Sequence, residues 1–199
     1  MKIPCFGVVV ELWKIDGSRP APHFNLVAAP NDWRKESVSR ATKRTTGSLS
    51  ERGERYQAFF QRLIDTLREQ HRFTTAKRAQ AQNWYVFASG DRRFKYGANF
   101  TAQQQARVEV YIDSGDAHEN HDLFDSMKKH KESIESELGY ALDWQSLEDR
   151  RACRVATDRA GTIDESDDVL EEIHDWMVQR LLDFKKVFDS HLRKLTGRR

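Results

Sequence analysis

Apolar residues recur along this chain with two different periods, and the switches between them predict its elements. Val8, Val10 and Leu12 alternate with Val9, Glu11 and Trp13, Asp16-Gly17 signals a turn, and an extended pattern resumes from His23 to Val27. Residues 1–28 are therefore expected to form a β-hairpin, with Pro20 and Pro22 marking the return strand as an edge. From Pro30 to Ser50 the periodicity is lost and Ser, Thr, Lys and Arg take over. Residues 29–50 read as a linker.

The helical period then begins. Ser48 and Glu51 fit a capping box, and Tyr56, Phe59, Phe60, Leu63, Ile64 and Leu67 follow at helical spacing. Three strand-like segments come next, Asn83 to Ser89, Phe94 to Thr101 and Arg107 to Asp113; their short connections favour antiparallel pairing. A second helix is predicted from Asp116 to Leu138, with Leu123, Phe124, Met127, Ile134 and Leu138 as its stripe and Gly139 as its stop. Leu142 to Gln145 and Ala152 to Asp158 read as strands. A long helix from Glu165 to Leu195, closed by Gly197, carries Leu170, Ile173, Trp176, Met177, Leu181, Phe184, Phe188 and Leu192. The expected fold class is α+β: a mostly antiparallel sheet packed by three helices over residues 51–199, preceded by the N-terminal β-hairpin.

Composition adds a polar surface. Of the 199 residues 38% are hydrophobic and 32% charged, with eleven Phe and five Trp as bulky anchors. No apolar run approaches the roughly 20 residues that span a bilayer, and the start lacks a secretory signal, so a cytoplasmic protein with no membrane contact is expected. Cys5 and Cys153 are far apart in strand-like contexts, as buried free thiols would be. The formal net charge of +2 conceals an asymmetry: Arg68 to Lys95 holds seven Lys/Arg against Glu69 and Asp91, whereas Asp113 to Asp175 holds seven against nineteen Asp/Glu.

The element order invites a test for a PD-(D/E)-x-K nuclease site, which needs a Lys two residues after a metal-binding carboxylate. Glu109 is followed at that place by Tyr111 and Glu11 by Trp13, so the pair is absent from both. His118 and His121, beside Asp113, Asp116 and Asp122, have helical ligand spacing, but no second ligand pair completes a shell. Acidic residues at a helix N-terminus have a simpler explanation in the macrodipole. There is no G-x-S-x-G, Walker A or G-x-G-x-x-G motif. No catalytic residue, cofactor or metal is assigned.

The stretch from His71 to Phe100 interleaves Arg72, Lys77, Arg78, Arg92, Arg93 and Lys95 with Trp84, Tyr85, Phe87, Phe94, Tyr96 and Phe100. Single-strand binders combine cations and stacking aromatics in this way. The plainer alternative is that half or more of the aromatics are sheet core and the cations are solvated edge charges.

The segments RFTTAKRAQAQNWYVFASG, YGANF, RVEVYID, ELGYALDW and DRRACRVA make the chain, from about Gly53 to Leu195, resemble the bacterial domain-of-unknown-function family 4268. The resemblance implies a domain that usually follows a PD-(D/E)-x-K nuclease-like domain in longer proteins. The opening FGVVVELWKIDGSRPAPHFNLVAAPNDW looks like the last strands of such a domain, whose catalytic strands would lie before Met1. The family supplies no catalytic residues to carry over, and its domain company implies DNA processing or phage defence.

The leading expectation is a non-catalytic accessory module of a nuclease-like protein that engages DNA or RNA. Arg72, Lys77, Arg78, Arg92, Arg93 and Lys95 would contact phosphates, and Trp84 or Tyr96 would stack on bases. The alternative is a protein–protein or homodimer module acting through the long C-terminal helix, whose Trp176, Phe184 and Phe188 exceed what one small sheet needs. A metal-dependent hydrolase built from Glu109, Asp113 and the histidines ranks last.

Overall fold

The computed structural model describes residues 50–147 and 150–196, together with the backbone of residues 7–13 and 21–28. The chain divides into two compact units, residues 1–49 and 50–199. In the first, β1 (Gly7–Trp13) and β2 (Ala21–Ala28) pair antiparallel, with Val8 opposite Leu26, Val10 opposite Phe24 and Leu12 opposite Pro22. The hairpin is as the alternation predicts. Cys5, the Asp16-Gly17 turn and the linker up to Leu49 lie outside the described residues.

The second unit opens with α1 (Glu51–Glu69). Its N-cap is Ser50, whose hydroxyl accepts from the Gly53 N–H at 3.2 Å. Ser48 is therefore not the cap: the first orphan N–H groups of the helix lie within reach of the nearer serine. Phe59, Phe60, Leu63, Ile64 and Leu67 are buried, the stripe expected for this helix.

Five strands follow: β3 (Trp84–Ala88), β4 (Phe94–Phe100), β5 (Gln105–Ile112), β6 (Asp143–Gln145) and β7 (Cys153–Ala160). They form one fully antiparallel sheet in the order β3-β4-β5-β7-β6. Side chains alternate between faces along each strand. One face presents Phe87, Phe94, Tyr96, Ala98, Phe100, Val108, Val110, Ile112, Cys153 and Val155 to a single core shared with the helices. Cys153 is a buried free thiol, as expected.

Between β5 and β6 the structure has two helices where periodicity predicts one. α2 (Ala117–Lys128) and α3 (Lys131–Leu138) are divided at Lys129 and His130. The physical reason is the gap in the stripe. After Met127 the next apolar residue is Ile134, so no burial supports the intervening turn, and helices draw most of their stability from burial. Gly139 ends α3 at φ +80°, the left-handed conformation that makes glycine the natural stop.

The last helix, α4 (Asp167–Thr196), lies across β4 and β5 and touches α1, α2 and α3. Gly197 lies outside the described residues. Ile173, Met177, Leu181, Phe184, Phe188 and Leu192 of α4 are all buried, so this helix forms the spine of the core. Of the three bulky residues behind the self-association reading, Phe184 and Phe188 are fully enclosed, and Trp176 is half-buried against the same core. The fold is α+β, with four helices on an antiparallel sheet among the described residues. No helix among the described residues is long and apolar enough to cross a membrane.

Candidate nucleic-acid interface

Strand register arranges the sheet face turned away from the core into three rows. Trp84, Asn99, Arg107 and Asp158 form the first row, running across β3, β4, β5 and β7. Val86, Gly97, Glu109, Ala156 and Asp143 form the second, and Ala88, Lys95, Tyr111, Arg154 and Gln145 the third. A face of this composition is not a core face. It carries the cations Lys95, Arg107 and Arg154 and the aromatics Trp84 and Tyr111 where the opposite face carries Phe, Val and Ile.

At the centre sits Glu109, only 7% exposed. Gly97 on one side and Ala156 on the other leave room for it. Its Oε1 accepts from Asn99 Nδ2 at 3.2 Å, and its Oε2 lies 3.2 Å from Arg154 Nη1. Burial raises the Glu109 pKa, while the Arg154 and Arg107 charges oppose that shift. Beside it Asp158 grips Arg107 with both oxygens, at 2.7 Å to Nε and 2.9 Å to Nη2. That hydrogen-bonded pairing raises the already high Arg107 pKa and keeps the guanidinium charged. Two orphans remain: Glu109 Oε2 and Arg154 Nε are buried without a hydrogen-bond partner. An incompletely satisfied buried pair of this kind is costly and calls for a reason.

Above this row lies a cleft of about 580 Å³, lined by Trp84, Asn99, Arg107, Glu109, Tyr111, Arg150 and Arg154 among others. Trp84, at 45% exposed, is the only large hydrophobic side chain left open among the described residues. Removing its ring from water is favourable for any flat apolar ligand, a base included.

The expected site residues divide into three groups. Trp84 and Lys95 stand on the cleft face, and Arg92 is exposed in the turn between β3 and β4. Arg72, Lys77 and Arg78 are exposed on the segment between α1 and β3, and no ion pair engages them among the described residues. That segment is irregular but tied down: Gln61 accepts from the Ala79 N–H and donates to the Lys77 carbonyl, and Arg68 donates to the Ala76 carbonyl. Its cations are thus presented from a fixed backbone.

Tyr96 is a correction, and Arg93 already has protein partners. Tyr96 belongs to the opposite face, is 0% exposed, and its hydroxyl donates to Asp189 Oδ1 at 2.6 Å. It is a core residue and cannot stack on a base. The parity of β4, with Phe94, Ala98 and Phe100 on the same side, decides this. Arg93 is bound by both oxygens of Asp91 at 3.0 and 2.9 Å and lies 3.6 Å from Glu119. Its guanidinium is engaged by the β3–β4 turn, as that of Arg107 is by Asp158.

The residues of the hydrolase reading do not converge. Asp113 is held by Arg151 through two bonds of 2.9 Å, which lower its pKa. His118 pairs with Asp122, and His121 approaches the Cys153 sulfur. Glu109 lies on the outer sheet face. Glu171, His174 and Asp175 do cluster on α4, but each has a protein partner: Arg62 for Glu171, and Thr66 and Asp175 for the two ring nitrogens of His174.

Arg107, Tyr111, Arg150 and Arg154 are cleft residues outside the interleaved stretch, and Asn99 lies within it without being one of its cations or aromatics. A signal for two of them was present: Arg107 and Tyr111 alternate with Val108, Val110 and Ile112, the mark of a strand with one polar face. What the alternation cannot reveal is that Arg154, from a distant segment, becomes the neighbour of Tyr111.

The fold and the cleft together define a half-covered antiparallel α+β domain, with helices and core on one face and a charged, aromatic cleft on the other. The chain belongs to the family described as a domain of unknown function (DUF4268), whose model matches residues 55–192. No curated protein and no solved structure matches it.

Proposed function

We propose that residues 50–196 form a non-catalytic module that holds single-stranded nucleic acid on the sheet face opposite the helices, as an accessory to a nuclease-like domain of the kind the family resemblance implies. The observation that carries this reading is the first row of that face: an exposed Trp84 beside Asn99 and Arg107, in a cleft that also receives Arg150 and Arg154. A stacking surface and guanidinium groups on one open sheet are the elements single-strand binding requires. The exposed Lys95 adds a cation on the same sheet face, and Arg92 is exposed in the adjoining turn, while Arg72, Lys77 and Arg78 stand on the segment tied to α1. The acidic stretch opposes nucleic acid less than its count suggests, because Asp113, Asp158, Glu135 and Glu171 are engaged by protein partners.

The test is binding of labelled single-stranded oligonucleotides by fluorescence anisotropy as salt is raised. With three or four phosphates engaged, the log–log slope should be about −2 to −3. Trp84 emission should be quenched on binding, and Trp84→Ala should weaken affinity. Absence of binding at low salt would refute the reading.

A further inference from the structure

We propose that the cleft is a seat for a single nucleotide bearing a phosphate monoester, with its base on Trp84 and its phosphate among Arg107, Arg150 and Arg154; this rests on the nucleic-acid reading above. Four observations support it. First, three guanidinium groups line one cleft, and Glu109 is the only acidic residue among its lining side chains. One of the three, Arg107, is propped from beneath by Asp158. Guanidinium groups held in this way lose little freedom when an anion arrives.

Second, the orphaned atoms have complementary needs. Arg154 Nε has no hydrogen-bond acceptor, and Glu109 Oε2, ion-paired with Arg154 Nη1 at 3.2 Å, has no aligned hydrogen-bond donor. A nucleotide offers both, as phosphate oxygens and sugar hydroxyls. Both atoms are enclosed, so seating the ligand requires the Arg154 side chain to turn outward, and that side chain is partly exposed.

Third, the dimensions suit one unit rather than a track. A volume of about 580 Å³ is that of a small-molecule pocket. Trp84 and Arg107 share a row two strands apart, a separation of about 9–10 Å. That is comparable to the span from a base to the phosphate of the same nucleotide. Fourth, the charge favours an end over the interior of a strand. A monoester carries about −1.5 to −2 at neutral pH and an internal diester only one charge, so Arg150, which no acid pairs among the described residues, favours the monoester while Arg107 and Arg154 add donors.

The experiment uses the full chain and one single-stranded sequence made with a 5′-hydroxyl, a 5′-phosphate or a 3′-phosphate end, and adenosine monophosphate as competitor. One phosphorylated form should bind about tenfold or more tightly than the hydroxyl form. Arg150→Ala and Trp84→Ala should each remove most of that ratio. Competition by adenosine monophosphate would identify free nucleotides as ligands too; a persisting end preference without competition would restrict the seat to strand ends. Equal affinity for all three oligonucleotides would overturn this inference and leave the binding reading standing. A ratio that survives both substitutions would also overturn it, and no binding of any form would remove both.

Discussion

Gly97 and Glu109 face each other across β4 and β5, and the glycine is what makes room for the carboxylate. A β-carbon at position 97 would stand 2.9 Å from Glu109 Cγ and 3.1 Å from its Oε1. The Glu109 side chain cannot simply swing aside, because Asn99 and Arg154 hold its oxygens. Gly97→Ala should therefore destabilise the domain by about 1–3 kcal/mol, the usual cost of overpacking. Urea unfolding reads it. An unchanged midpoint would show that Glu109 is not seated over Gly97.

Trp84 and Tyr96 should behave oppositely, although both belong to the same aromatic-rich stretch. Trp84→Ala removes an exposed ring and should change stability by no more than about 0.5 kcal/mol while weakening oligonucleotide binding. Tyr96→Phe removes the donor to Asp189 and should cost about 1 kcal/mol of stability, leaving binding intact. Burial first and the Asp189 bond second hold the Tyr96 hydroxyl protonated far above the ordinary tyrosine range. A binding loss in Tyr96→Phe with unaltered stability would contradict the face assignment.

Arg107 and Asp158 are both largely enclosed, and breaking the pair strands a charge. Asp158→Asn should cost about 3 kcal/mol, near the lower end for a buried pair because Asp158 keeps some contact with water. Thermal unfolding is a sufficient measure. A cost below about 0.5 kcal/mol would place the pair in the class of surface bridges.

His191 links stability to pH. Burial lowers its pKa below the ordinary 6.5, Glu137 opposes the shift, and His130 and Lys194 reinforce it. The unfolded chain therefore takes up the proton more readily than the folded one. Stability contributed by neutral His191 is present above the ordinary histidine value and is lost as pH falls through the lowered folded value. His191→Gln should flatten the stability profile across that window. An unchanged slope would assign it to other groups. The Asp113 contribution, also lost on acidification, belongs to a lower window because its carboxyl pKa is lowered by Arg151.

Much of the fold was legible beforehand because burial leaves a period in the chain. The buried stripe of α1, the strands and the spine of α4 all follow from spacing, and so does the αL stop at Gly139. Errors fell where the period was silent. The α2–α3 break lies in a polar interval between Met127 and Ile134, and the choice of Ser50 over Ser48 depends on which hydroxyl meets an N–H group. Of the candidate site, Trp84 and Lys95 were readable as outward positions on β3 and β4. Tyr96 is a core residue because of its parity on β4, which the composition of the stretch does not carry.

The amino-acid sequence by itself determined the elements and which face of each is apolar, since both depend on neighbours two to four residues away. Only the tertiary structure decided which polar residues meet. Gly97, Glu109 and Arg154 lie on three adjacent strands, and the pairing of β5 with β7 joins segments more than 40 residues apart. Such register is set by the packing of the whole sheet on its helices. It determines that Arg93 is engaged in a turn, Tyr96 is buried in the core, and Arg107, Arg150 and Arg154 share one cleft.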